Sequence, residues 1–201
     1  MLTISKLGPR LKVTALIDPA KERAEEVLET KRNSFVVSAY KDTVIYADLE
    51  DYLKAITPET QPHAIWVGSP PAFRGRLEKG RNLEVLVADN LPKTAMFIEK
   101  PVSTGPVEEA AEVAHDIRKR GNLVSVGYML RYLKVVQKMK QIIDENNLMV
   151  TAVNGRYVMA YEYLSKSWWW NKKQSLGPVI EQATHFCDLA RYFGGEVDLS
   201  T

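Results

Sequence analysis

The chain has 201 residues, 45% hydrophobic and 26% charged, which suits one large domain or two small ones with a real core. A net charge of +2 supplies no basic field of the kind nucleic acid demands, and the single cysteine, Cys187, excludes an internal disulfide framework and a cysteine-based zinc cluster. No stretch approaches the roughly 18 uninterrupted apolar residues of a membrane span. Residues 1–6 also lack the apolar core of a secretory signal, so the sequence reads as a cytoplasmic protein with no membrane or nucleic-acid partner.

The first predicted element is a strand over residues 11–17 that ends at Asp18. Asp18-Pro19 then opens a helix, the aspartate as N-cap and the proline at the first position, with Ala20, Ala24, Val27 and Leu28 as its apolar stripe. A weak strand is predicted at 35–37, a short helix at 49–56, and a buried-type strand at 64–67 that runs into Gly68-Ser69-Pro70-Pro71. Residues 83–91 read as helix, 95–98 as strand, 106–119 as helix stopped by Gly121, and 123–126 as strand. Strands alternating with helices at this spacing predict βαβ units and a parallel sheet, an α/β fold of Rossmann type. The texture changes after Gly127: an amphipathic helix at 133–143, a long strand at 149–161, a polar aromatic loop, and a helix at 178–193 closed by Gly194-Gly195. The predicted boundary divides a nucleotide-binding domain, 1–127, from the start of a substrate and oligomerisation domain, 128–201.

Chemistry concentrates at the predicted strand ends. In open α/β sheets ligands bind beyond the carboxyl ends of the strands, and Asp18, Ser69-Pro70-Pro71 and Glu99-Lys100-Pro101 all fall there. Asp18 has two readings, a plain helix cap or the acidic residue that binds a cofactor ribose. The latter normally follows a G-x-G-x-x-G turn by about 20 residues, and no such turn precedes Asp18 in this sequence. Lys100 is restrained by Pro101, which also makes a cis bond accessible, and can aim its ammonium into a cleft to hold or relay a hydroxyl proton; a surface lysine at a strand end is the alternative. On the last helix Glu181, His185 and Asp188 fall at i, i+4 and i+7 on one stripe, with Ala183, Phe186, Leu189 and Phe193 expected to face the core. His185 fits a general acid/base oriented by Glu181, against the alternatives of a local helix ion pair or a metal site. Tyr128 and Arg131 follow the last nucleotide-domain strand and can line the cleft. Trp168, in a triple-tryptophan loop, can stack on a sugar or pack under a sheet.

Read together, Phe97-Ile98-Glu99-Lys100-Pro101, Gly127-Tyr128-Met129-Leu130-Arg131-Tyr132 and the helix from Glu181 to Tyr192 resemble the glucose–fructose oxidoreductase / inositol dehydrogenase (Gfo/Idh/MocA) family. The resemblance implies a nicotinamide-binding Rossmann domain, here without its first strand and glycine turn. It also implies an incomplete second α/β domain whose open sheet binds substrate and forms homo-oligomers. NAD or NADP is the implied cofactor, with Asp18 favouring NAD, and no metal is implied. A sugar-like alcohol or carbonyl is the implied substrate, Lys100 and His185 the catalytic pair. Glu181 stands where many members carry aspartate. The competing reading is a non-catalytic binding or regulatory module that has lost the phosphate cradle.

Overall fold

A computed structural model describes residues 8–158 and 167–198. The chain divides into two compact units, 1–62 and 63–201.

In the first unit a 3-10 turn, Gly8–Arg10, precedes strand β1 (Ala15–Ile17). Helices α1 (Lys21–Arg32) and α2 (Val37–Tyr40) follow, then strand β2 (Val44–Tyr46) and helix α3 (Leu49–Ala55). The two strands are parallel, with Ala15 opposite Val44 and Ile17 opposite Tyr46. Among the described residues the buried apolar set is Ala24 and Leu28 of α1, Val36, Ala39, Leu49 and Tyr52, so the i, i+4 pair of α1 faces the core. Tyr52 meets Tyr46 edge-on at 5.3 Å between ring centres. Asp48 caps α3 by accepting from the Asp51 N–H at 2.8 Å.

Several sequence expectations are corrected in this unit. The first strand is confined to three residues because its partner is only three residues long. Residues 35–37 are not a strand: the Val37 N–H closes a turn on the Ser34 carbonyl at 3.1 Å, Phe35 is exposed, and the chain enters α2. The strand lies at 44–46 instead. Asp18 does not cap α1, whose N-cap is Ala20. It accepts from the Ala20 N–H at 2.8 Å, a local Asx turn that delays the helix to Lys21.

The second unit carries strands β3 (Ala64–Val67), β4 (Ala95–Ile98) and β5 (Val124–Val126) in a parallel sheet of order β3-β4-β5. A 3-10 turn, Pro71–Phe73, and helix α4 (Leu83–Asn90) join β3 to β4; helix α5 (Val107–Lys119) joins β4 to β5. Period-2 alternation sends Val67, Met96 and Ile98 inward, where they lie buried with Val85, Val87, Ala88 and Leu91 from the α4 region and Val113 and Ile117 from α5. Gly121, at φ +78°, takes the left-handed conformation that ends α5.

A 3-10 turn, Met129–Tyr132, leads into helix α6 (Lys134–Glu145). The long strand expected at 149–161 is not formed over 149–158, since no described strand pairs with it; residues 159–161 lie outside the described residues. After a turn at Ser167–Trp170 come helices α7 (Lys172–Ser175) and α8 (Pro178–Gly194), the latter opening with Pro178 at its first position. Among the described residues no helix is long and apolar enough to cross a membrane.

Candidate active site

The site forms in the second unit, where the loop after β4 meets α8. The Lys100–Pro101 peptide bond is cis. The Lys100 Nζ donates to the Glu181 Oε2 at 3.0 Å and to the Glu181 main-chain carbonyl at 2.7 Å. That carbonyl lies in the first turn of α8, so the ammonium binds a side chain and its own backbone together. The pair is buried, with side-chain exposures of 15% for Lys100 and 3% for Glu181.

One turn along α8, His185 is 9% exposed and stands edge-on to the Tyr128 ring at 6.3 Å. Its Nδ1 and the Glu181 Oε1 are buried with no hydrogen-bond partner. Burial first, and then the positive charge of Lys100, pull the His185 pKa below its ordinary 6.5, against the opposing charges of Asp188 and Glu99. The imidazole is therefore neutral at physiological pH, able to accept a proton. One further turn on, Asp188 takes a bidentate fork from Arg131, Nε at 2.7 Å and Nη2 at 2.5 Å. That hydrogen bond, more than burial opposes it, raises the Arg131 pKa. Arg131 also lies over the Tyr192 ring at 4.8 Å.

The expected apolar face of α8 is thus reversed. Its buried positions are Glu181, His185 and Asp188, while Ala183, Phe186, Leu189 and Phe193 are only half-buried. Carboxylates can be buried here because Lys100 and Arg131 supply counter-charges. One further expectation is corrected. Glu181 is bonded to Lys100, through a carboxylate oxygen and its main-chain carbonyl, rather than to His185. Cys187 is exposed. Among the described residues no group of His, Cys, Asp and Glu is arranged to hold a metal ion.

The other predicted residues fall as follows. The Ser69 Oγ, past the end of β3, is buried without a hydrogen-bond partner. Pro70 precedes the turn that Pro71 opens, and Pro71 is buried. The Glu99 carboxylate lies against Gly127, where an added Cβ would stand 3.0 Å from its Oε2. Tyr128 also reaches the Thr184 hydroxyl, at 3.5 Å. The Trp168 side chain lies outside the described residues. Asp18 belongs to the first unit, where Arg23 donates to its Oδ2 at 2.7 Å. Burial would raise its pKa, but the Arg23 and Ala20 hydrogen bonds and the Arg23 charge outweigh it and hold the carboxyl below its ordinary value.

Arg74 escaped the sequence reading. It is 2% exposed, and its Nε donates to the Ser69 carbonyl at 2.9 Å while its Nη1 donates to the carbonyls of Glu99 and of Pro101, the latter at 2.7 Å. Nothing in the local sequence separates it from Arg76 two positions on, which instead pairs with Glu109.

Comparison with known proteins follows this geometry. Residues 2–128 match the sequence model of the Gfo/Idh/MocA oxidoreductase family, NAD-binding Rossmann fold, and residues 131–201 match that of an oxidoreductase C-terminal domain. Two uncharacterized proteins of Schizosaccharomyces pombe are 44% and 45% identical over 197 residues, 97% of this chain. The chain spans about half the length of these relatives, 51% and 48%. Among solved structures, the WlbA (WbpB) dehydrogenase of Thermus thermophilus, in complex with NAD and UDP-GlcNAcA, is 20% identical with a TM-score of 0.68, over 97% of this chain and 58% of that one. The myo-inositol 2-dehydrogenase of Lactobacillus plantarum is 18% identical with a TM-score of 0.63, over 92% of this chain and 49% of that one. These two show a shared fold. The match over residues 2–128 places the chain in the Gfo/Idh/MocA oxidoreductase family.

Proposed function

We propose that this chain forms the reacting part of an NAD-dependent oxidoreductase that interconverts a sugar-like alcohol and its carbonyl compound. The observation that carries the reading is the buried Lys100–Glu181 pair one helical turn from a neutral His185, with polar atoms on both residues of α8 left unpartnered. Buried polar atoms without partners are uncommon, and two beside a buried cation suit a ligand that brings its own hydroxyl groups. The sugar nucleotide named for the Thermus dehydrogenase and the inositol named for the Lactobacillus enzyme agree with that chemistry.

Each unit carries groups suited to part of a dinucleotide. In the first, Asp18, kept anionic at the end of β1, would hold ribose hydroxyls; in the second, the buried Ser69 Oγ past β3 would offer a donor. Pro70, Pro71, Glu99 and Pro101 would shape the loops around it. When bound, NAD supplies the carbon that takes up or returns the hydride. The rest is the work of this chain. Lys100 donates from Nζ to the substrate oxygen, stabilising negative charge as it develops there. His185 accepts the hydroxyl proton during oxidation and returns it during reduction. Glu181 holds the ammonium in place from two sides. In this reading residues 1–127 serve the cofactor and 128–201 the substrate, so Lys100 comes from the first segment and Glu181 and His185 from the second; Tyr128, Arg131 and Trp168 are assigned to the substrate side.

The test is a dehydrogenase assay, followed by nicotinamide absorbance, across a panel of polyols, free sugars and sugar nucleotides. Turnover that collapses in Lys100→Met and His185→Ala supports the reading. Turnover unaffected by either change, or specific binding of sugars with no turnover at all, would overturn it, the second result favouring a binding module.

A further inference from the structure

We infer that Arg74 is a positioning residue that sets the Lys100 ammonium in place, an inference that rests on the role given to Lys100 above. Its guanidinium is almost wholly buried, yet its hydrogen bonds go to carbonyl oxygens. Two of those carbonyls belong to Glu99 and Pro101, the chain neighbours of Lys100 on either side. The third, Ser69, lies in the loop after the adjacent strand β3. A single planar fork therefore clamps the main chain before and after Lys100 and ties it to the neighbouring loop.

Orientation of the lysine stem follows from the path of its backbone, and that path is fixed from one side by Arg74. The tip is fixed from the other by Glu181. The two cations also share the field of one carboxylate: burial lowers the Arg74 pKa, and Glu84, Glu99 and Glu181 oppose that fall. Glu84 is itself held, its Oε1 accepting from the Gly75 N–H at 2.5 Å. Lysine cannot replace arginine in this arrangement, because a compact ammonium lacks the rigid geometry that reaches carbonyls in separate loops.

The test uses the full chain labelled with ¹³C,¹⁵N-lysine, and follows the Lys100 side-chain ¹³Cε–¹⁵Nζ resonance, assigned with Lys100→Arg, in the parent, Arg74→Lys and Arg74→Gln. The parent resonance is expected to stand apart from those of exposed lysines and to move towards them in both variants, with circular dichroism unchanged. A Lys100 resonance unmoved in both variants would overturn the inference. Loss of fold in both would also overturn it, assigning Arg74 to the fold alone. In the dehydrogenase assay, Arg74→Lys is expected to lower kcat by roughly 10- to 100-fold with KM nearly unchanged, and to add nothing in a Lys100→Met background. If Lys100→Met itself leaves turnover intact, the functional assignment fails while the resonance still decides whether Arg74 sets Lys100.

Discussion

Lys100 and Glu181, 81 positions apart, are joined twice, ammonium to carboxylate and ammonium to main-chain carbonyl. Because the pair is buried, deleting one partner strands the other charge. Lys100→Met is expected to cost about 3–5 kcal/mol of stability by leaving Glu181 unpaired, and Glu181→Leu a similar amount. The double variant replaces the pair with apolar groups and is expected to recover most of that stability. Turnover is expected to stay on the order of 100-fold or more below the parent in Lys100→Met and in the double variant. Urea unfolding and the dehydrogenase assay read the two effects separately. A double variant as unstable as the sum of its parents would show that the residues do not act as a pair.

Asp188 and Arg131 form the second buried anchor of α8. The carboxylate is 3% exposed and the arginine side chain 36%, so solvent weakens what the fork contributes. Asp188→Ala is expected to lower stability by about 1–3 kcal/mol, with Asp188→Asn losing less because one acceptor remains. Thermal unfolding checks this, and equal losses in the two variants would show that charge alone matters.

Much of this was legible beforehand because it is local. The strands at 64–67 and 95–98 are where their apolar runs fall, and the helix stop at Gly121 follows from the freedom of that residue at positive φ. The i, i+4, i+7 stripe of Glu181, His185 and Asp188 was visible as a stripe. Its direction was not, because inward burial of carboxylates depends on Lys100 and Arg131 arriving from far away in sequence. The same reason hid Arg74, whose partners are backbone carbonyls that carry no sequence signature. Strand β2 was missed because it is only three residues long, with Val44 exposed and Ile45 and Tyr46 half-buried, just enough to pair with β1.

The lowered pKa of His185 makes stability depend on pH. An unfolded chain protonates this histidine near 6.5, whereas the folded chain resists protonation through burial and the Lys100 charge, with Asp188 and Glu99 opposing. The stabilising contribution is therefore complete above 6.5 and is lost as pH falls from there through the folded value. His185→Gln is expected to reduce the loss of stability on that acid limb. In the oxidative direction, the parent rate is expected to fall over the same window as the imidazole is protonated. Urea unfolding at several pH values reads the first effect, and identical pH profiles for parent and variant would remove His185 from the account.

Cofactor choice is expected to turn on Asp18 and Arg23. The carboxylate is held anionic by Arg23 and by the Ala20 N–H, and an anion at this strand end accepts ribose hydroxyls while repelling a 2′-phosphate. Arg23 is itself 69% exposed, and its contact with Asp18 Oδ2 occupies one end of its fork. If Asp18 faces the cofactor ribose as proposed, Asp18→Ser removes the repulsion and frees that guanidinium to pair with a 2′-phosphate. The ratio of kcat/KM for NADP to that for NAD is then expected to rise by roughly tenfold or more, a difference of about 1.4 kcal/mol. Adding Arg23→Ala to Asp18→Ser is expected to abolish the gain, since the arginine supplies the new attraction. Steady-state kinetics with both cofactors checks each variant. A ratio unchanged by Asp18→Ser would return this residue to the role of a local turn former, holding the start of α1 and nothing else.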